Sequence, residues 1–292
     1  MLAGFGLLLV GFGFKVAAAP FHTWTPDVYQ GSPSPAVIFM ASAVKVAAFA
    51  GLIRVFVVAF GGFKADWQPY LYALAVATLL VGSVLAVVQT DVKRMLAYSS
   101  ISHAGFILVG VQAASDDGVA GALFYLAAYT FMVAGSFGVV TLVSGRGDNR
   151  TALTDYNGLA RREPLLAFAF TIFLLAQAGV PLTSGFFAKF YVLAAAIKAG
   201  YWHLAVIAMV SAVIAAFLYL RIIVQMYLTD DEPAEGDAAE PAAVASARLP
   251  IPFGAKLAVG LAFVATLVFG FLPGPLASSS RDARPTVTAV AK

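Results

Sequence analysis

Three lysines stand inside long apolar runs, and they are the residues of this sequence best placed to do chemistry. Lys15 lies in GFGFKVAAAP, Lys45 in AVIFMASAVKVAAF and Lys189 in GVPLTSGFFAKFYVL. Lys45 is about nine residues into a run that opens at Ala36, roughly 14 Å along a helix. A hydrocarbon core is ~30 Å thick, so that depth is near its middle. A lysine there costs about 2.5–3.5 kcal/mol, and such residues usually face a bundle interior or a wet cavity. A lysine of this kind can accept and release a proton. Snorkelling to the headgroups is the competing reading for Lys15 and Lys45. His103 is a fourth candidate, in the string SSISH with Ser99 and Ser100. Ser99 and His103 are four residues apart and share a helical face. The imidazole could relay a proton, or it could cross-link helices as a neutral ring.

Other polar residues invite plainer readings. Tyr125, Tyr129 and Ser136 form a stripe in one apolar run, read as a packing face with satisfied hydroxyls. Asp27 reads as a loop or capping carboxylate. Arg54 and Arg221 sit toward the C-terminal ends of their runs and read as snorkelling side chains. Lys93 and Arg94, in the tight connection QTDVKR, read as determinants of topology.

The elements that must carry these residues follow from composition. The chain has 292 residues, 61% hydrophobic and only 11% charged, with mean hydropathy +0.88. A soluble domain carries about 25% charged residues, so this is an integral membrane protein. The apolar runs are long and do not alternate, which makes the spans helices and not barrel strands. The fold expected is all-α, a polytopic membrane helix bundle with discontinuous helices. Eight spans are read, at 2–19, 36–60, 69–88, 94–112, 118–143, 164–198, 203–228 and 255–272. The pI near 9.1 rests on a net charge of only +3. No basic patch with interleaved aromatics is present, so no nucleic-acid partner is expected. Cysteine is absent, which excludes Cys-ligated metal, Fe–S clusters and disulfides and leaves the compartment undecided. No secretory signal precedes the first run; the chain opens directly inside an apolar helix, which suggests that an N-terminal part precedes it.

Two spans are interrupted. Pro20 ends the first, and 22–31 reads as a short half-helix that re-enters the bundle before Pro33 and Pro35. Gly179 and Pro181 split 164–198, which is too long for one ordinary crossing. A broken helix at membrane depth needs protein or water for its freed backbone groups, so a hydrated site is expected near Lys189. Trp67 and Tyr70 read as interface aromatics in the loop before the third span. Residues 228–256 read as an acidic, solvated, flexible linker, and Ser278 onward as a polar tail. Lysine and arginine placement puts the connections holding Lys93, Arg94, Arg146, Arg150, Arg161 and Arg162 in the cytoplasm, and both chain ends outside. A pair of interrupted segments points to inverted repeats with sites near the midplane. No Asp or Glu lies within the eight spans, so the three lysines have no acidic partner there.

The strings FKVAAAPFHTWTPDVYQGSPSP, DVKRMLAYSSISHAGFILVG and GVPLTSGFFAKFYVLAAAI resemble the antiporter-like membrane subunit N of bacterial NADH:quinone oxidoreductase, respiratory complex I. PDVYQG and SSISHAG favour subunit N over its sister subunits. The resemblance covers nearly the whole chain, which corresponds to the last eight of the family's fourteen helices. It implies a proton-translocating subunit of the inner (plasma) membrane, driven by redox and quinone chemistry in other subunits. By motif match, Lys15 is the lysine of the first broken helix, Lys45 the central connecting lysine and Lys189 the lysine of the second broken helix, near the outward exit. His103 is implied as the link between Lys45 and Lys189. The family's acidic partner of the first lysine lies on an earlier helix, outside this chain. The resemblance implies no cofactor in this chain, with NADH, FMN, Fe–S clusters and quinone in partner subunits. The partners implied are neighbouring antiporter-like and small membrane subunits and the lipid bilayer. Residues 1–60 would end one inverted repeat, 61–228 would form the second, and 229–292 would hold the acidic loop, last helix and tail. Two other functions fit the same residues: a cation/proton antiporter or hydrogenase-linked subunit, and a truncated or structural subunit without its own proton path.

Overall fold

The computed structural model describes residues 2–145, 147–229 and 252–283. The described residues are almost wholly helical. Helix α1 spans Leu2–Val16 and α2 Trp24–Gly31. One continuous helix, α3, runs over Ser34–Ala59. It is followed by α4 (Lys64–Val87), α5 (Val92–Gln112) and α6 (Asp116–Ser144). Then come α7 (Pro164–Ala178), α8 (Ser184–Lys198), α9 (Trp202–Leu228), α10 (Phe253–Phe271) and α11 (Pro273–Asp282). Among the described residues six helices are long and apolar enough to cross a membrane, and α1 and α7 are shorter apolar helices. The six long helices and the two shorter ones roughly match the eight spans expected. The protein is a multi-pass membrane protein.

Helix α5 is the centre. Nearly all its side chains are buried, because α4, α6, α2, α8 and α9 all pack around it. Its start is fixed by Asp91, whose side chain accepts from Arg94 N at 2.9 Å. Ser115 caps α6 in the same way, accepting from Gly118 N at 3.1 Å. Helix α6 carries α8 and α10 on its flanks, and α9 leans on α4 and α7.

Helix α1 stops at Val16, earlier than Pro20 alone requires. Ala17 takes φ +62°, and Ala18 N bonds back to Gly13 O at 2.8 Å, the wide closing bond of a helix C-terminus. The freed groups then find side chains. Ala19 N donates to Thr78 Oγ1 at 3.0 Å, and Trp24 Nε1 donates to Phe14 O at 3.0 Å. Helix α7 closes likewise: Gly179 sits at φ +92°, and Val180 N returns to Leu175 O at 3.0 Å. Such a φ is open to glycine at no steric cost. Helix α3 is irregular in a way the sequence hides. Met40–Val44 and Ile53–Ala59 are wound as π-helix on either side of Lys45–Leu52. Such turns are frequent at functional sites.

Four expectations change. The third span begins at Lys64 and not at 69: Pro69 lies inside the helix, in its second turn, and the helix runs through it with one backbone bond, to Ala65 O, given up. Trp67 is therefore no interface residue. It is fully buried against Phe56, with Nε1 donating to Phe60 O at 2.9 Å, while Tyr70 is exposed. Arg221 does more than reach toward the headgroups: it donates to Val87 O at 3.1 Å and Gln89 O at 2.8 Å, closing the C-terminus of α4. Ser278–Ser280 are not a loose tail but the last turns of α11, their hydroxyls bonded to Pro275 O and Leu276 O. The acidic linker at 230–251 and the tail from 284 lie outside the described residues.

Candidate functional site

Lys45 leaves α3 directly after the first π turn, and its side chain is buried. Its ammonium donates to α5, to Ser100 O at 2.8 Å and Ser100 Oγ at 2.5 Å. The Tyr129 ring lies 5.5 Å from Nζ, presenting its negative face to the cation. Lys189, in the second turn of α8, is also buried. Its ammonium reaches back across the break to the end of α7. It donates to Gln177 O at 2.9 Å and to Ala178 O at 2.7 Å. These carbonyls end a helix and carry the negative pole of its dipole. A cation there gains up to ~2 kcal/mol when partly buried, of the same order as the insertion cost of a lysine, about 2.5–3.5 kcal/mol. The Phe106 ring, 4.9 Å from Nζ, adds to this. Both lysines therefore sit on carbonyl, hydroxyl and ring partners, none of them a carboxylate.

Gly179 makes the second seat possible. A Cβ there would lie 3.0 Å from Lys189 Cδ and 3.3 Å from Nζ, in addition to the strain of φ +92°. A Cβ at Gly185 would overlap Ala176 O, so only glycine lets α8 start so close to α7.

Between the lysines runs a buried hydrogen-bonded cluster. Ser99 Oγ meets Gln177 Oε1 at 3.1 Å and the Tyr219 hydroxyl at 2.6 Å. Gln177 Nε2 donates to Ser136 Oγ at 2.6 Å. His103 is held at both nitrogens, Nδ1 by the Tyr125 hydroxyl at 2.8 Å and Nε2 by the Tyr219 hydroxyl at 3.2 Å. A ring bonded on both sides to hydroxyls fits a neutral imidazole that ties α5 to α6 and α9. The same contacts give a proton a partner on each side. The stripe on α6 is only partly the packing face with satisfied hydroxyls expected from the sequence: Tyr125 and Ser136 bond His103 and Gln177, but the buried Tyr129 hydroxyl has no hydrogen-bond partner among the described residues.

The structure thus brings together Lys45, His103 and Lys189 and leaves Lys15 apart. Lys15 is exposed, on the face of α1 that also shows Leu7, Leu8 and Phe14 to the outside. Gln177 and Tyr219 were not singled out in the sequence. Each is a single polar letter in an apolar run, in LLAQAGVP and AFLYLRII. Asp27, in the first turn of α2, forms an exposed ion pair with Arg94 at 2.6 Å. Lys93 is fully buried, which a purely topological role does not require.

Half-helices meeting at two breaks, a lysine buried beside the second of them and polar side chains crossing between helices define an antiporter-like membrane bundle. A family model described as NADH:quinone oxidoreductase/Mrp antiporter, TM, matches residues 1–215. The chain belongs to this family. NADH-quinone oxidoreductase subunit N of Salinispora arenicola is 51% identical over 276 residues, covering 94% of this chain and 52% of the relative. Subunit N 3 of Streptomyces griseus is 48% identical over 262 residues, 90% of this chain and 47% of the relative. The chain spans about half the length of these curated relatives. A chain of respiratory complex I from Thermus thermophilus superposes with TM-score 0.80 at 37% identity, over 95% of this chain and 58% of that one. A chain of the Mrp complex from Dietzia superposes with TM-score 0.84 at 23% identity, over 96% of this chain and 58% of that one, a likeness of fold alone.

Proposed function

We propose that this chain forms the proton-translocating part of a membrane subunit of NADH:quinone oxidoreductase, in the inner membrane, beside other membrane subunits of that complex. The observation that carries this reading is the cluster from Lys45 to Lys189, which draws on α3, α5, α6, α7, α8 and α9. A purely structural helix bundle gains nothing from burying two ammonium groups without carboxylates, since apolar side chains of similar size cost less. In this reading Lys45 and Lys189 take up and release protons, and His103 with its two tyrosines lies between them. Backbone segments interrupt the chain of bonds, so transfer passes through water. Ser184 Oγ, at the first residue of α8, is buried without a protein partner among the described residues, a group that water at the break would satisfy. Lys15 stands as a further member of the path, on the exposed face of α1. Electron transfer in partner subunits, which hold NADH, FMN, Fe–S clusters and quinone, drives the movement; this chain has no cysteine to ligate a cluster.

The test is proton uptake by the complete complex in proteoliposomes, with Lys45→Ala and Lys189→Ala beside the parent. Uptake that needs both NADH and quinone, and falls in each variant while the complex still assembles, is expected. Parental uptake in either assembled variant removes that lysine from the path. Na⁺-driven exchange that persists without NADH and quinone would favour the antiporter function instead.

A further inference from the structure

The joint between α2 and α3 is held by charges that lie outside the lysine line. Only Ser32 and Pro33 separate the two helices. Lys93, on the first turn of α5, donates to Ser32 O at 2.6 Å, just past the C-terminus of α2. The same ammonium pairs with Asp148 Oδ2 at 3.1 Å. Asp148 in turn accepts from Ser34 N at 2.6 Å and from Ser34 Oγ at 3.0 Å. It therefore caps the first turn of α3 from a distant loop. Ser144 Oγ supplies a further bond at 2.8 Å. A cation belongs at a helix C-terminus and an anion at an N-terminus. Here one ion pair serves both ends of a single joint. Asp148 holds φ +53° to do so, a conformation that an aspartate enters more readily than most residues because its short side chain can bond locally. Burial pushes the Asp148 carboxyl up, but Ser144, Ser34 and Lys93 outweigh it and hold the group below the ordinary carboxylate value.

The joint is connected to Lys45 in two ways. Lys45 follows Ser34 by about 11 residues, roughly 16 Å along α3. Lys93 precedes Ser100, the partner of Lys45, by about 7 residues, roughly 10 Å along α5. Helices α3 and α5 are thus tied at two levels, once by the ion pair and once by Lys45 itself. Between the two ties lies the π turn Met40–Val44, where an extra residue per turn alters the rotation of everything beyond it. With its first turn fixed, α3 delivers the Lys45 side chain to Ser100. With that turn free, the same helix can rotate Lys45 away.

We infer that Lys93 and Asp148 are positioning residues for Lys45, the ion pair fixing the α2–α3 joint and through it the seat of the Lys45 ammonium on Ser100. This rests on the proton-path reading above. The test is proton uptake per assembled complex for Lys93→Met/Asp148→Asn, for Lys45→Ala and for the triple variant. Removing both charges together leaves no unpaired buried ion. The double variant should lose about tenfold, as expected for a misplaced reacting group, and the triple variant should equal Lys45→Ala. Effects that act through one residue do not add, whereas a merely structural loss would multiply. Parental uptake in the double variant, or a triple variant lower than Lys45→Ala by a second full factor, overturns the inference. Where the double variant does not assemble, Ser34→Ala, which removes one bond to Asp148, takes its place under the same two criteria. Parental uptake in Lys45→Ala alone sinks the proton-path reading itself and is read separately.

Discussion

The two broken segments use the same letters and arrive at opposite arrangements. Each joins two half-helices and each carries a lysine near a Gly or Pro interruption. In the α7/α8 pair the lysine follows the break, so its stem turns back and its ammonium closes the carbonyls of Gln177 and Ala178. In the α1/α2 pair the lysine precedes the break. Lys15 lies in the last turn of α1 and points outward, and the carbonyl of Phe14 accepts from Ala17 N at 3.2 Å and from the neutral indole of Trp24. The order of lysine and break decides whether a broken helix is closed by a group that can carry a proton or by one that cannot.

Substitutions at the two breaks should therefore separate chemistry from stability. The largest effect is expected for Lys189→Ala: proton uptake per assembled complex falls tenfold or more, on the scale of a lost proton-transfer group. Trp24→Phe removes the corresponding closure of α1 and should leave uptake near parental. An equal loss of uptake in both variants would erase the contrast. Gly179→Ala comes next. The strain at φ +92° and the contact with the Lys189 stem should cost about 1–2 kcal/mol and lower uptake, as thermal denaturation and proton uptake will report. The direct cost of Trp24→Phe should be about 1 kcal/mol of stability, the value of one hydrogen bond. Lys15→Arg sharpens the comparison further. If Lys15 must release its proton, arginine does not restore uptake lost in Lys15→Ala, because a guanidinium stays charged. The smallest effect is expected for Asp27→Asn on α2. Its pair with Arg94 is exposed, and such pairs contribute about 0–1 kcal/mol, so the midpoint of thermal unfolding should barely move.

Much of the fold was legible because a membrane span has a crude signature. Long apolar runs, the Gly179–Pro181 interruption and Pro20 located the helices and both breaks. The fine structure was not legible. A uniform run such as AVIFMASAVKVAAF reports a span but not the π turn inside it, which depends on how α3 meets its neighbours. Trp67 was misplaced because an aromatic near a span end reads the same whether it faces lipid or packs under Phe56. Of the polar cluster, Ser99 and His103 were legible from their four-residue spacing. Gln177 and Tyr219 were not, because spacing within one helix cannot tell which residues of different helices meet. Lys93 reads as topology for the same reason: its partners, Ser32 and Asp148, lie about 60 and 55 residues away in sequence.

The central claim is that the buried cluster between Lys45 and Lys189 works as a path and not as packing. Gln177→Leu tests it most directly. The change keeps the carbonyl that seats Lys189 but removes the amide that meets Ser99 and Ser136. NADH-driven proton uptake, measured per assembled complex in proteoliposomes, should fall severalfold. Parental uptake with the amide gone would show that the cluster only holds the helices together.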